Sequence, residues 1–364
     1  MRKIKVNLDK KSSNSHDIFI GYGILDRISL MIAKNQAASH YIIITDSNVS
    51  ALYGTMLRDK LKAMNLKADL IEFPAGERSK NITTALGVVE KMLKIGVDRH
   101  SVLIALGGGV VGDMTGFIAS LYMRSLPYIQ IPTTLMAQVD SSIGGKTAVD
   151  LPEGKNLLGT FYQPRSIYID LKLLETLPDE EFKNGLVEVI KYGIIEDADF
   201  FHFLEENMQQ IKERKKDSLE KIVETSCRIK KGIVEIDEKE KGLRRILNFG
   251  HTIGHAVEAA SEYKVSHGQA VALGMIAVSR ISERLYDLQT GDRDRVERLL
   301  KTAGLSCCIP RTIMTKKILS KIKADKKKEG DKIHLILLKK IGMPFINGGV
   351  SEQTLHDVVE EIRG

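Results

Sequence analysis

The stretch SVLIALGGGVVGD, residues 101–113, predicts the fold of the first half of this chain. Its apolar run is typical of a buried strand, and the glycines that follow favour a sharp turn into a helix. Gly107, Gly109 and Gly112 have GxGxxG spacing, in which small residues let the backbone approach a pyrophosphate at a helix N-terminus. A tight strand-to-helix turn without a ligand is the alternative interpretation.

Short apolar runs flank this unit, and several of them end in polar clusters. Helix-like spacing separates them at residues 80–95 and 110–121. This alternation predicts a doubly wound parallel sheet with Rossmann-like character, in which ligands bind outside the carboxyl ends of the strands. The further predicted strands are YIIIT (41–45, before DSNV), DLIEF (69–73, before PAGERSK), YIQI (128–131, before PTT), IYID (167–170) and the N-terminal MRKIKVNLDKK.

From about residue 180 the pattern changes to long amphipathic helices, with one strand near the end at IHLILL (333–338). The boundary is expected near LETLPDEE (174–181). We therefore predict an α/β nucleotide-binding domain over 1–178 and a mainly α-helical domain over 179–364, tightly docked around a cleft. The predicted helices are 179–195, 197–213, 216–235, 251–261, 267–286 and 292–303.

The run GHTIGH (250–255) places His251 and His255 four residues apart, on one face of a helix, and His267 follows in SHG. This spacing is typical of metal ligands, although helical histidine pairs also occur as structural residues. A metal and a nucleotide together would indicate an enzyme.

Composition excludes several other classes of protein. The chain has 364 residues with 43% hydrophobic and 28% charged residues, as in soluble globular proteins, and no apolar run approaches the roughly 20 residues of a membrane span. The N-terminus lacks a signal peptide pattern, and three cysteines form no disulfide framework, so a cytoplasmic location is expected. The net charge of +7 comes largely from residues 315–340, which contain no aromatic residues for stacking on bases. A solvated basic face is therefore favoured over nucleic-acid binding.

The expected dinucleotide is NAD. The usual acid about 20 residues after the glycine-rich turn is missing, because that region reads LPYIQIPTT. Asp46, at the end of an earlier strand, and Glu77 are the candidates for holding the ribose. No basic cluster adjoins Asp46, which favours NAD over NADP.

Together these motifs resemble the 3-dehydroquinate synthase family of sugar phosphate cyclases, over nearly the whole chain. DSSIGGKTAVD (140–150) followed by GKN is the most specific part, since polyol dehydrogenases and other cyclases of this fold share the GGG turn but not this run. The remaining matching segments are DSNV (46–49), GERSK (76–80), GGGVVGD (107–113), the rest of 123–150, GKNLLGTFYQP (154–164), VEVIKYG (187–193), DEKEKGLRRILNFGHTIGHAVE (237–258), SHGQAVALGM (266–275) and DKK (325–327).

The resemblance implies site residues for NAD, a metal and the substrate. Zn²⁺ would be held by Glu188, His251 and His267, with Co²⁺ as the alternative ion, and His255 would transfer a proton. NAD would be bound by Asp46, Asn48, Gly76, Glu77, Lys80, Gly108, Gly109, Val110, Val111, Gly112, Asp113, Thr133, Thr134, Asp140, Lys146, Lys155, Leu173, Glu175 and Thr176. The substrate would be bound by Lys146, Asn156, Lys191, Lys230, Glu240, Arg244, Asn248, Lys326 or Lys327, and by Arg124 of a neighbouring subunit.

Several of these residues also have plain structural interpretations. Glu188 and Lys191 could form a helical salt bridge, Asn248 could cap the following helix, and Glu240 could form a surface pair. At three positions the residue differs from the one that is common in the family: Ser125, where glycine is common, Glu180 and Gln269. None of the three is an implied site residue.

The implied reaction converts 3-deoxy-D-arabino-heptulosonate 7-phosphate to 3-dehydroquinate and phosphate, in the shikimate pathway toward chorismate and the aromatic amino acids. It combines transient oxidation by NAD, phosphate elimination, re-reduction, ring opening and an intramolecular aldol closure. The implied enzyme is a homodimeric lyase with no nucleic-acid or membrane partner. The alternatives are a zinc-dependent polyol dehydrogenase or another sugar phosphate cyclase of the same fold, such as one making deoxyinosose or a valiolone.

Overall fold

The protein contains a seven-stranded sheet followed by a largely helical region. The computed structural model describes residues 1–6, 15–35, 38–329 and 333–364, except for the side chains of residues 35 and 324–329. The strands are β1 (Arg2–Val6), β2 (His16–Gly21), β3 (Tyr41–Asp46), β4 (Ala68–Phe73), β5 (Val102–Gly107), β6 (Tyr128–Pro132), β7 (Lys146–Leu151), β8 (Gly154–Phe161), β9 (Ser166–Asp170), β10 (Leu335–Lys340) and β11 (Met343–Asn347). The helices are α1 (Leu25–Asn35), α2 (Ser47–Val49), α3 (Thr55–Ala63), α4 (Ile82–Lys94), α5 (Gly109–Leu121), α6 (Asp179–Ile195), α7 (Ala198–Lys212), α8 (Lys216–Ile236), α9 (His251–Ala260), α10 (His267–Tyr286), α11 (Thr290–Thr302), α12 (Thr315–Glu329) and α13 (Glu352–Glu361).

The chain forms two compact units. Unit 1 comprises Met1–Pro178 and Leu219–Lys239, and unit 2 comprises Asp179–Ser218 and Glu240–Gly364. The division into domains 1–178 and 179–364 stays a prediction, and the units differ from it in assigning Leu219–Lys239 to unit 1.

Unit 1 is built on a sheet with the order β1-β2-β9-β6-β5-β3-β4. Only the edge strand β1 is antiparallel to its neighbour; the other pairings are parallel. Successive side chains of a strand point to opposite faces, so the apolar run of β3 fills two cores. Ile42 and Ile44 pack with residues of α4 and α5, whereas Tyr41 and Ile43 pack with residues of α1 and α3. Helices therefore cover both faces, which confirms the doubly wound sheet predicted from the sequence.

The sheet reverses its strand order between β3 and β5. From β3 the chain steps outward to β4, and it then returns to place β5 on the other side of β3. Ile44 lies opposite Ala105, and the Thr45 hydroxyl donates a 2.7 Å hydrogen bond to Leu106 O. This reversal is a topological switch point, the place where doubly wound sheets bind ligands.

The segment carrying DSSIGGKTAVD and GKN folds as a π-helical turn (Ala137–Ser141) and a β7–β8 hairpin. The sequence did not predict this hairpin. Its strand β8 is largely exposed and does not alternate between buried and exposed side chains. It packs on α5: an added Cβ at Gly116 would lie 2.4 Å from Thr147 Cγ2.

The six helices predicted for the second half are present as α6 to α11, and their ends differ from the prediction by at most two residues. The strand predicted at 333–338 forms the hairpin β10–β11 over Leu335–Asn347. In the parts of the chain that the structure describes, we find no helix with the length and apolar character needed to cross a bilayer.

A strained turn follows α5. Met123, Arg124 and Ser125 have φ values of 48°, 69° and 94°, and a side chain at such angles costs of order 1–3 kcal/mol. Ser125 is exposed, and its amide donates a 3.0 Å hydrogen bond to Tyr122 O, which any residue could make.

We predict that Ser125→Gly stabilises the protein by about 1 kcal/mol, because the relief of strain exceeds the entropy that glycine adds to the unfolded chain. Urea denaturation would measure the change. Ser125→Ala is the matched control, since it removes the hydroxyl but keeps the Cβ. Equal stability of the glycine and alanine variants would contradict the assignment of strain.

Candidate metal centre and nucleotide-binding edge

The glycine-rich turn joins β5 directly to α5. Gly108 is the N-cap residue of α5, and among the described residues no side chain caps the first amide groups of the helix. An added Cβ would lie 2.9 Å from Thr134 Cγ2 at Gly108 and 3.1 Å from Ser141 Oγ at Gly109. Because Gly108 and Gly109 have no side chains, a ligand can approach the backbone of the turn. The N-terminus of the 13-residue helix α5 offers N–H donors at the same place. This arrangement fits a pyrophosphate.

The neighbouring strand ends supply polar groups at the same edge of the sheet. Asp46 ends β3, and its Oδ1 accepts hydrogen bonds of 2.9 and 3.0 Å from the amides of Asn48 and Val49. Thr133 follows β6, and its amide donates to Gly107 O at 3.0 Å. Parallel strands bring all their carboxyl ends to one edge, so positions distant in the chain become neighbours.

The segment after β9 is a 3-10 helix, Leu171–Thr176. Leu173 is buried in the core, whereas Glu175 accepts a short hydrogen bond from Tyr22 and Thr176 hydrogen-bonds to the Tyr53 hydroxyl at 2.6 Å. These bonds connect the segment to the β2–α1 turn and to the region that follows Asp46.

A buried lysine holds the middle of this edge together. Lys80 Nζ lies 2.7 Å from Asp113 Oδ2 and donates a 2.5 Å hydrogen bond to Asn156 Oδ1. Burial acts to lower the pKa of Lys80, but the Asp113 carboxylate raises it, so the ammonium group remains charged. Glu77 is exposed and pairs more loosely with Lys155, at 3.7 Å. Gly76, just before Glu77, has φ 103°.

The other predicted residues of unit 1 lie at three places. Lys230 of α8 donates to Asp140 Oδ1 at 2.6 Å and to Asp140 O at 2.7 Å, although 90 residues separate them. Lys146 begins β7 with an exposed side chain. Arg124 lies, also exposed, in the strained turn after α5.

In unit 2, the histidines are brought together by a very close crossing of α9 and α10. An added Cβ at Gly274 of α10 would lie 1.9 Å from Gly250 O, and one at Gly254 of α9 would lie 2.9 Å from Ala270 O. The two helices therefore touch backbone to backbone. Gly250, just before His251, adopts φ 78° at the N-cap of α9.

This crossing assembles a cluster of three imidazoles. The ring of His251 lies 5.3 Å from that of His255 and 5.6 Å from that of His267 between centroids. One ring nitrogen from each of the three histidines lies within 4.8 Å of the others. Spacing in the sequence paired His251 with His255, but only the crossing of two helices adds His267.

Glu188 of α6 points its carboxylate at this cluster. Its Oε1 lies 3.5 Å from His251 Nε2, and its Oε2 forms a short ion pair with Lys191, one turn later. Burial acts to raise the pKa of the Glu188 carboxyl, but the adjacent Lys191 ammonium group holds it well below its usual value. Burial also lowers the pKa of His251, and Lys191 lowers it further. At neutral pH the site thus presents an anionic carboxylate and a neutral imidazole, the forms that bind a metal.

The orientation of the rings fits a divalent cation. His251 Nδ1 lies 3.1 Å from Phe249 O, which can only accept, so Nδ1 carries the proton and Nε2 presents a lone pair toward Glu188. A lone pair and a buried carboxylate facing each other need a cation between them. One Glu and two His would leave a fourth zinc position open, as in catalytic sites.

Three other predicted residues of unit 2 lie in the segment before α9. Arg244 is buried in the 3-10 helix Leu243–Asn248. Asn248 donates a 2.9 Å hydrogen bond to Glu240 Oε1. Lys326 and Lys327 belong to α12, but their side chains lie outside the described residues.

The sequence analysis did not predict two residues that the structure places near the candidate sites, Asp170 and Glu258. Asp170 ends β9 and accepts hydrogen bonds from the amides of Gly23, Leu25 and Lys172 at 2.7–3.0 Å, which joins the β2–α1 turn to the segment after β9. Glu258 lies seven residues after His251 on α9, with its carboxylate 3.2 Å from His267 Nδ1. The i, i+4, i+7 spacing of His251, His255 and Glu258 was the available signal.

Comparison with known proteins identifies the family. Sequence models described as 3-dehydroquinate synthase N-terminal and 3-dehydroquinate synthase C-terminal match residues 70–184 and 185–328. The chain belongs to the 3-dehydroquinate synthase family. It is 42% identical to the 3-dehydroquinate synthase of Desulforamulus reducens, with 99% of this chain and 100% of the relative covered. It is 44% identical to that of Acidithiobacillus ferrooxidans, covering 96% and 95%.

Solved structures agree with this assignment. A 2-deoxy-scyllo-inosose synthase in complex with carbaglucose-6-phosphate, NAD⁺ and Co²⁺ has a TM-score of 0.89 at 27% identity, covering 99% of this chain and 100% of the other. The 2-epi-5-epi-valiolone synthase of Streptomyces hygroscopicus, with NAD⁺ and Zn²⁺ bound, has a TM-score of 0.89 at 28% identity, covering 98% and 99%. An iron-containing alcohol dehydrogenase, at 17% identity and a TM-score of 0.67, shares the fold alone. The predicted family, fold class and enzyme are thus confirmed.

We predict that Gly274→Ala separates α9 from α10 and empties the metal centre of this family member, because its Cβ would meet the Gly250 carbonyl. The free energy of unfolding should fall by about 3 kcal/mol or more. Thermal denaturation and metal analysis of the purified protein would measure both effects.

Gly232→Ala is the control, since no atom of the described residues lies within 4 Å of its added Cβ. In the interior of α8 it should raise stability by about 0.5–1 kcal/mol. Normal stability and metal content in Gly274→Ala would contradict the role of the helix crossing.

Proposed function

We propose that this chain is a 3-dehydroquinate synthase, which converts 3-deoxy-D-arabino-heptulosonate 7-phosphate to 3-dehydroquinate and phosphate. The observation that carries the proposal is the cluster of His251, His255 and His267 beside the buried Glu188, whose Oε1 lies 3.5 Å from His251 Nε2 and whose Oε2 pairs with Lys191. The relatives matched over nearly their full length bear the same name.

Glu188, His251 and His267 would hold the metal, Zn²⁺ or Co²⁺. When bound, the ion would supply Lewis-acid chemistry that acidifies the alcohol to be oxidised. The buried carboxylate offsets part of the ion's charge, which favours Glu188 over His255 as the third ligand. His255 is exposed, and its ring lies 5.6 Å from that of His267 between centroids. It would therefore carry the proton from the substrate hydroxyl to solvent.

NAD would bind in unit 1, where it supplies a temporary acceptor for the substrate's hydride. The amides at the start of α5 and the bare Gly108–Gly109 turn would hold the pyrophosphate. The intramolecular bonds of Asp46 go to Oδ1, so Oδ2 could accept from a ribose hydroxyl. Lys80, Asp113 and the segments around Thr133 and Leu173 would complete the nucleotide site. The remaining residues assigned to NAD are Asn48, Gly76, Glu77, Val110, Val111, Gly112, Thr134, Asp140, Lys146, Lys155, Glu175 and Thr176.

The substrate carries a phosphate and a carboxylate, and both need charged or amide donors. Charge-assisted hydrogen bonds contribute about 1.5–3 kcal/mol each. Several candidates are already held by acids of the protein, Lys230 by Asp140 and Asn248 by Glu240, so their orientation is set before substrate binds. The proposed set is Lys146, Asn156, Lys191, Lys230, Arg244, Asn248 and Lys326 or Lys327, with Glu240 as an orienting acid.

A coupled assay tests the reaction. We expect release of one phosphate per substrate, with catalytic amounts of NAD and no accumulation of NADH, because the hydride returns within each turnover. Chelation of the metal should abolish phosphate release, and Zn²⁺ or Co²⁺ should restore it. NADH that grows in step with substrate consumption would indicate a polyol dehydrogenase instead, and mass spectrometry of the product would reveal a different cyclase.

We also propose a homodimer in the cytoplasm. Five apolar side chains are 40–55% exposed near the β7–β8 hairpin: Leu121, Met123, Leu157, Leu158 and Phe161. A 2.9 Å hydrogen bond from Thr160 to Ser120 joins the hairpin to the end of α5, which supports treating these residues as one patch. Arg124 lies in the same turn and would reach the substrate of the neighbouring subunit. The three free cysteines agree with a reducing compartment.

We predict that Phe161→Glu converts the dimer to a monomer, because a charge in an apolar interface is left without a partner. Light scattering after gel filtration would measure the mass. Leu93→Glu is the control, at an exposed leucine of α4 that is not part of the patch. Arg124→Ala should remain dimeric and raise KM for the substrate; an unchanged KM would remove Arg124 from the site.

A further inference from the structure

We propose that Glu258 is a positioning residue, whose carboxylate fixes the His267 ring so that its Nε2 faces the divalent metal. This inference rests on the proposed function, because it concerns the metal centre of that reaction. Neither the family resemblance nor the spacing of the histidines assigned Glu258 a role.

The contact defines the state of the imidazole. Glu258 Oε2 lies 3.2 Å from His267 Nδ1. An ionised carboxylate has no proton to donate, so Nδ1 must be the donor. In a neutral ring this leaves the lone pair on Nε2, the atom that would bind a metal. His251 is held in the same way, with its Nδ1 3.1 Å from Phe249 O. Both ligand rings are thus set in one tautomer by different acceptors.

His267 needs this support more than His251 does. The side chain of His267 is 38% exposed and that of His251 14%, so packing alone restrains His267 less. His267 is also the first residue of α10, where no preceding helical turn packs against its ring. Its backbone is well fixed, since an added Cβ at the next residue, Gly268, would lie 2.6 Å from Asn184 Cα. The ring torsion is therefore the freedom that remains, and the Glu258 contact limits it.

Glu258 is itself well placed for this task. It is 5% exposed, and it lies near the end of α9, so the close crossing with α10 sets the distance between the two side chains. Its backbone carbonyl accepts hydrogen bonds from Ser261 Oγ at 2.7 Å and from the Tyr263 amide at 3.0 Å. Carboxylates in this position both orient a metal-bound histidine and increase its basicity, and their loss typically weakens metal binding about 10–100-fold.

The experiment compares metal affinity in four full-length proteins by competition with a chromophoric chelator, for Zn²⁺ and for Co²⁺. We expect Glu258→Ala to bind about 10–100-fold more weakly than wild type. Glu258→Gln keeps an acceptor oxygen without the charge, so its metal affinity should lie between those of wild type and Glu258→Ala. Glu262→Gln is the matched control: it removes the same charge four residues later, from an exposed side chain that pairs with Lys317 at 2.9 Å. It should bind metal as wild type does.

Two further readouts separate positioning from a purely structural role. The visible spectrum of the Co²⁺ form should change in Glu258→Ala and Glu258→Gln, because the ligand geometry changes. NAD affinity should stay at the wild-type value in every variant, because the nucleotide residues belong to unit 1.

Wild-type metal affinity and an unchanged cobalt spectrum in Glu258→Gln and Glu258→Ala would overturn the inference, as would equal weakening by Glu262→Gln. If Glu258→Ala does not fold, Glu258→Gln decides alone. A wild-type protein that binds neither ion would overturn this inference and the proposed metal chemistry together, which distinguishes that failure from failure of Glu258 alone.

Discussion

The proposed metal centre depends on a backbone-to-backbone contact between two helices. At the crossing of α9 and α10, Gly274 leaves room for the Gly250 carbonyl, and no other residue type would fit at 1.9 Å. Side-chain packing normally keeps helix axes 8–10 Å apart, and glycines remove that spacing layer. The consequence is that His251 and His255 on one helix come within ligand distance of His267 on the other. The same crossing sets the distance between Glu258 and His267.

The centre then balances charge within a buried environment. Glu188 is almost fully buried, and a buried carboxylate needs cationic partners. Lys191 is one such partner, and it keeps the pKa of Glu188 low even though burial acts in the opposite direction. The neighbouring imidazole cannot serve as a second cation while its own pKa is lowered. A divalent ion would meet this demand, so the electrostatics of Glu188 and the direction of the His251 lone pair favour the same occupant.

In unit 1, short polar segments that are distant in the chain lie together at one edge of the sheet. Parallel pairing does most of this, because each strand ends on the same side, and the reversal between β3 and β5 opens space between two of those ends. Long-range polar contacts then fix the loops. Lys80 joins Asp113 to Asn156, Lys230 joins α8 to Asp140, and Asp170 joins the end of β9 to the β2–α1 turn. These contacts link positions up to 147 residues apart.

The sequence by itself determined many of the strands and helices and the family. Apolar runs of four to six residues predicted β3 to β6 and β9, amphipathic patterns predicted α6 to α11, and the motifs identified the family, because these signals are local in the chain. The β7–β8 hairpin was missed, since an exposed strand lacks alternation, and Glu258 was missed because its partner lies on another helix. Only the tertiary structure decided which residues meet, because the helix crossing and the parallel pairing act between segments that no local pattern connects.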